Sequence, residues 1–141
     1  MTIYLDTNIF LYASDETSAY YPECVQLLSF CRKSSIDLTT SVETIQEIIN
    51  YSKNIKEIEK GMRIADFVLK VVDQFFPVDP STIDIYLKQI ETYYKPSSRD
   101  ILHLATCIEN DLKIAITYDK DFSKFKDVEA NTPKGFLAKY S

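Results

Sequence analysis

The apolar positions of this chain alternate between a strand-like and a helix-like period. Thr2 to Leu5 is a short β-prone run that ends at Asp6. Tyr21, Cys24, Val25, Leu28 and Cys31 then fall at helical spacing, with Pro22 suited to the first turn. Ile36 to Thr39 reads as a second strand. A helix beginning near Thr40 or Ser41 carries Val42, Ile45 and Ile49 on one face. Asn54 and Glu57 have capping-box spacing for a third helix, striped by Ile58, Ala65, Val68 and Val72 and running to about Asp73. Phe75 to Val78 predicts a brief strand, and Asp79-Pro80 opens a helix with a stripe of Ile83, Tyr86, Leu87, Ile90 and Tyr94. After the break at Pro96, Ile101, Leu104, Ala105, Ile108 and Leu112 predict another helix. Lys113 to Thr117 is a buried-type strand, followed by a helical turn around Phe122 to Phe125. The tail from Asp127 predicts a weak edge strand, then Pro133 and a final turn.

Strands alternating with helices predict an α/β fold of parallel βαβ units, with helices on both faces of a short central sheet. No linker, low-complexity tract or repeat divides the chain, so one domain over residues 1–141 is expected. In such sheets ligands bind at the carboxyl ends of the strands. The places to look are just after Leu5, Thr40, Val78 and Thr117.

Composition narrows the chemistry. The 141 residues are 45% hydrophobic and 26% charged, the balance of a folded globular chain. No apolar run is long enough for a membrane span or a secretory segment, and a cytoplasmic location is expected. Two glycines, Gly61 and Gly135, cannot build a GxGxxG turn or a P-loop. One histidine, His103, cannot build a multi-histidine zinc site, and it reads as a helix residue with a local hydrogen bond. The three cysteines form no CxxC; Cys24 and Cys31, seven apart on a helical pattern, read as core packing. The net charge of −5 argues weakly against a nucleic-acid partner. That argument fades if several carboxylates hold cations.

Acids do gather at the strand ends. Asp6 directly follows the first strand; Asp119 lies two residues past Thr117, and Asp121 two further on. Glu43 and Glu47 are one turn apart on one helix, and Asp100 opens the helix before the Lys113 strand. Such a cluster suits Mg²⁺ or Mn²⁺, hard cations that polarise a phosphoryl oxygen and acidify a bound water. Each acid also has a plainer reading. Asp6 caps a turn. Glu43 completes a capping box with Thr40, which leaves Glu47 the better ligand candidate of the two. Asp100 does the same with Ser97, and Asp119 and Asp121 are solvated loop acids.

Taken together, these segments resemble the PIN-domain family, in particular the VapC-like ribonuclease toxins of type II toxin–antitoxin systems. The resemblance rests on Leu5-Asp6-Thr7-Asn8, on Thr40-Ser41 through Glu47, on Asp100-Ile101-Leu102-His103-Leu104-Ala105, and on Thr117-Tyr118-Asp119-Lys120-Asp121-Phe122. Thr132-Pro133-Lys134-Gly135 is similar to the usual ending. Tyr118 departs from the family, which often has Asn there.

The resemblance implies a parallel sheet of order 3-2-1-4-5 and a metal site on Asp6, Glu47, Asp100 and Asp119, with Asp121 as a further candidate. Thr7, Asn8 and Thr117 would support it. One or two Mg²⁺ or Mn²⁺ ions would serve as cofactor, and metal-activated water would cleave single-stranded or looped RNA to 5′-phosphate and 3′-hydroxyl ends. Arg99, Lys120, Lys124 and Lys126 are candidate phosphate contacts, or else an ordinary solvated face. A cognate antitoxin, with its C-terminal segment in the acidic groove, and a homodimer are the expected partners. Three rivals stand beside this reading. One is a non-catalytic RNA- or protein-binding module on the same fold, and another is a housekeeping RNA-processing nuclease. The third is a phosphatase with Asp6 as nucleophile, which Asn8 disfavours because that chemistry expects a second Asp there.

Overall fold

Strand β1 (Thr2–Leu5) is the central strand of the sheet. It pairs with β2 (Asp37–Ser41) on one side and β4 (Ile114–Ile116) on the other. Strands β3 (Gln74–Phe76) and β5 (Glu129–Asn131) form the edges. All four pairings are parallel, in the order β3-β2-β1-β4-β5, as expected from the resemblance. The computed structural model describes residues 1–141.

Alternation along β1 divides the core in two. Ile3 and Leu5 face one side, where they meet α1 (Thr7–Ala13), α2 (Tyr21–Lys33), α3 (Val42–Asn54), α4 (Ile58–Val71) and α7 (Pro133–Tyr140). Tyr4 faces the other side, among Ile101, Leu104 and Cys107 of α6 (Ser98–Glu109) and Phe122 of the 3₁₀ turn Lys120–Lys124. Helix α5 (Pro80–Thr92) packs on α6 from outside. Its start shows how local chemistry sets an element: Asp79 caps the first turn and Pro80 opens it, with Asp79 and Thr82 in a reciprocal capping box. No helix is long and apolar enough to cross a membrane.

Several expectations need correction. Helix α1 was not foreseen; its seven residues are too few to show a period, and Asp6 caps it by accepting from the Thr7 N–H. On α2 the inward residues are Cys24, Leu27 and Cys31, whereas Val25 is exposed. On α3 they are Thr44, Ile48 and Ser52, and Val42 at the helix start is exposed. Ser41, not Thr40, caps α3, because the Thr40 hydroxyl is taken up donating to the Leu5 carbonyl. Asn54 ends α3 instead of capping α4, whose first turn has no side-chain cap. Of the stripe expected on α5, Ile83, Leu87 and Ile90 are exposed, Tyr86 is half-buried against the core, and the exposed Tyr94 lies beyond the helix end; only Thr82 of this helix is fully buried. The tail after Pro133 is a helix of eight residues, longer than a turn.

Gly61 governs how α3 and α4 meet. A Cβ there would collide with the Ser52 side chain, so glycine alone lets α4 lie so close to α3. Ser52 is itself fixed, its hydroxyl donating to the Ile48 carbonyl at 2.8 Å.

Candidate active site

Parallel strands β1 and β4 end side by side, and the chain leaves them in different directions. That divergence opens a cleft of about 270 Å³ lined by Asp6, Glu47, Asp100 and Asp119, together with Thr7, Asn8, Arg99 and Tyr51. The four acids come from four segments: the end of β1, the middle of α3, the first turn of α6 and the loop after β4.

Asp6 is held on both oxygens. Its Oδ2 accepts from the Thr117 hydroxyl at 2.6 Å and the Asn8 amide at 3.2 Å, and its Oδ1 from the Thr7 N–H at 2.7 Å. Glu47 is held likewise, Oε2 by the Thr7 hydroxyl at 2.9 Å and Oε1 by His103 Nε2 at 2.7 Å. The other ring nitrogen of His103 is hydrogen-bonded to the Tyr4 hydroxyl. Burial works against a charged imidazole. The Glu47 hydrogen bond and the charges of Asp6, Glu47 and Asp100 outweigh it and push the His103 pKa up to about 9. His103 therefore carries its proton at neutral pH, 3.7 Å from Asp6 Oδ1. For Glu47, burial raises the pKa, but hydrogen bonds from His103 and Thr7 and the His103 charge bring it below the ordinary glutamate value.

Asp100 and Asp119 are arranged differently. Asp100 is the third residue of α6, where the Ser97 hydroxyl caps its N–H at 3.2 Å. Its capping position and its place in the cleft coexist, since only its backbone serves the cap. Asp100 is 7% exposed, and its Oδ2 is buried with no hydrogen-bond donor from the rest of the chain. Burial, then Asp119 and Asp6, push its pKa up to about 7. Asp119 Oδ1 accepts from the Asp121 N–H at 2.9 Å, and its own N–H donates to Thr117 Oγ1 at 3.0 Å.

An orphaned buried oxygen among several acids is what a bound cation would satisfy. The carboxylates of Asp6 and Glu47 also approach one another, within 4.8 Å at their nearest grouping around His103, whose protonated ring bridges them and offers no lone pair to a metal. The oxygen-rich donor set fits a hard divalent ion and disfavours zinc.

The cleft does not gather every candidate. Asp121 is not among its lining residues; its carboxylate pairs with Lys124 at 2.8 Å on the surface. Lys120, Lys124 and Lys126 are exposed and lie off the cleft, whereas Arg99 stands at its exposed rim. His103 makes no local hydrogen bond of the expected kind. It reaches Glu47 and Tyr4, far off in sequence. The signal was available, for His103 follows Asp100 by three residues and so shares its helix face.

This sheet order with an acid cleft at the strand ends defines the PIN fold, and the PIN domain family model matches residues 3–128. The chain belongs to the PIN-domain family. Among characterised relatives it is 24% identical to ribonuclease VapC13 of Mycobacterium tuberculosis, over 90% of this chain and 97% of that protein. Among solved structures it is similar to VapC20 of the same organism, a sarcin-ricin loop cleaving toxin. There the TM-score is 0.73 and the identity 17%, over 90% of this chain and 97% of that one. It is also similar to VapBC2 of Rickettsia felis bound to a promoter DNA fragment, with TM-score 0.70 and 17% identity, over 94% and 98% of the chains.

Proposed function

We propose that this chain is a divalent-cation-dependent endoribonuclease of the VapC type, the toxin of a toxin–antitoxin pair. The buried Asp100 Oδ2 beside Asp119 and Asp6, which receives no donor from the rest of the chain, carries the proposal, because a divalent cation would relieve that crowding of acids. Asp6, Glu47, Asp100 and Asp119 would hold Mg²⁺ or Mn²⁺. When bound, the ion supplies charge neutralisation at the phosphoryl group and a more acidic water.

The chain's own residues do the rest. Thr117 and Asn8 fix the Asp6 carboxylate, and Thr7 with His103 fixes that of Glu47. Protonated His103 is a donor on both nitrogens and so is not the general base. Its role is to balance the charge of Asp6 and Glu47. Arg99 at the rim supplies a cation to an incoming phosphodiester. The substrate is single-stranded or looped RNA, cut to a 5′-phosphate and a 3′-hydroxyl. An antitoxin segment entering the same cleft would block it, and a homodimer is the assembly we expect.

The test is cleavage of a labelled single-stranded RNA pool in Mn²⁺, Mg²⁺ or EDTA, with protein freed of any co-purified inhibitor. Metal-dependent cutting that is lost in Asp6→Asn is the expected result. Full activity of Asp6→Asn, or no cutting by wild type in either metal, would sink the proposal.

A further inference from the structure

A second cavity opens directly off the acid cleft. It lies between α1, α3 and α4, measures about 160 Å³, and shares Asn8, Leu11 and Tyr51 with the cleft. Tyr12 and Tyr51 present two phenol rings to it, with Ile55 and Ile64 completing the apolar lining. Asp15 and Lys60 supply polar groups at its edge.

Its Tyr12 wall is held in place. The ring of Tyr12 sits 5.1 Å from that of Tyr20 and 5.3 Å from that of Tyr118, and the latter two are 4.3 Å apart. The Tyr118 hydroxyl donates to Glu23 at 2.5 Å, which pins the cluster to α2. Tyr118 also precedes Asp119, and its N–H donates to Asn8 at 3.3 Å, so the aromatic wall and the acid cleft share one frame. At the far end, Lys60 lines this cavity and two shallower recesses beyond it, joined there by Arg63 and Lys56. All three cations are exposed.

We propose that this cavity receives one unpaired nucleobase of the RNA, next to the phosphate in the acid cleft. The inference rests on the nuclease reading and names its substrate subsite. The base stacks on Tyr51 against the edge of Tyr12, and the following phosphates run toward Lys60 and Arg63. Three features favour RNA over a protein segment: the residues shared with the cleft, two aromatic side chains in the lining, and a far end where Lys56, Lys60 and Arg63 outnumber Glu57 and Glu59 in an otherwise acidic chain. A cavity of about 160 Å³ takes a single base, so the subsite demands an unpaired nucleotide and rejects duplex RNA. Tyr118, where the family often has Asn, builds the wall that makes this demand.

The test couples the protein to the substrate. Tyr51→Ala is expected to raise KM about tenfold at unchanged kcat, the size of one lost base–aromatic stack, whereas Tyr51→Phe retains the wild-type value. A single abasic nucleotide walked along the RNA should harm wild type at one position near the cut and leave Tyr51→Ala indifferent there. Binding is read separately. The chain has no tryptophan, so Tyr51→Trp on the Asp6→Asn background in Mg²⁺ is a lone reporter, quenched by intact RNA and not by the abasic one. Unchanged KM in Tyr51→Ala, or RNA that binds by anisotropy without altering the tryptophan, would overturn the subsite while leaving the nuclease standing. The latter result would show that RNA bound to the cleft bypasses the cavity. Wild type that cuts no RNA in Mn²⁺ or Mg²⁺ would overturn both.

Discussion

The cleft has two halves built on opposite electrostatic plans. On the α3 side, Glu47 and Asp6 face a protonated histidine, and every carboxylate oxygen there has a donor. On the α6 side, Asp100 and Asp119 crowd against each other, and one buried Asp100 oxygen receives no donor from the rest of the chain. The first half is complete as folded; the second is complete only with something added. Acid count alone would treat the halves as equal. Their hydrogen bonds differ: the carboxylates of one half are fully supplied with donors, and the other half keeps an unsupplied buried oxygen, which is where the proposed metal would act.

Removing the residue that the halves share has the largest expected effect. Asp6→Asn is expected to lower cleavage by about a thousandfold or more, with circular dichroism unchanged. The next change breaks the compensated half. His103→Ala strips the counter-charge from Glu47 and leaves the Tyr4 hydroxyl without its partner. It should cost about 3 kcal/mol, read as a drop of roughly 10 °C in Tm.

The uncompensated half should respond with the opposite sign. At about 100 times Kd, Mn²⁺ is expected to stabilise wild type by about 2.7 kcal/mol in thermal unfolding. Asp100→Asn should be more stable than wild type in EDTA and gain much less from Mn²⁺. A metal that stabilised both proteins equally would erase the contrast.

The pH dependence separates the halves by window. Asp100 holds its proton more tightly folded than unfolded, so the metal-free protein loses stability as pH rises from about 4 to about 7, on the order of 2 kcal/mol. His103 also binds its proton more tightly when folded. Its contribution is full below about 6.5 and is lost as pH rises toward about 9. Urea unfolding of wild type, Asp100→Asn and His103→Ala across this range would assign each window. The smallest effect expected is that of Tyr118→Phe on stability, about 1 kcal/mol from the lost hydroxyl bond to Glu23 with the ring packing kept.

Much of this architecture was legible because short apolar runs bounded by polar residues mark buried parallel strands. The strand order came from the resemblance, not from the pattern. Helix faces were read less well, for a definite reason. On α3, buried positions are filled by Thr44 and Ser52, whose hydroxyls bond to Thr40 and to the Ile48 carbonyl. A polarity pattern scores such residues as exposed. On α5 the reverse holds, since an apolar stripe stays open to solvent. At the site, the four acids that the resemblance implied do line one cleft. What sequence could not show was their division into halves, which depends on a histidine and two threonines reaching across the fold.

The hydrogen bond from Thr117 to Asp6 joins residues 111 positions apart. A ribosome adds residues at about 5–20 per second, so roughly 5–20 s pass between making the first acid and the strand that secures it. Throughout that interval the nascent chain holds one wall of its cleft and lacks the other. Long-range closure thus sets an order: the first acid of the cleft waits for almost the whole chain before the residue that fixes it exists.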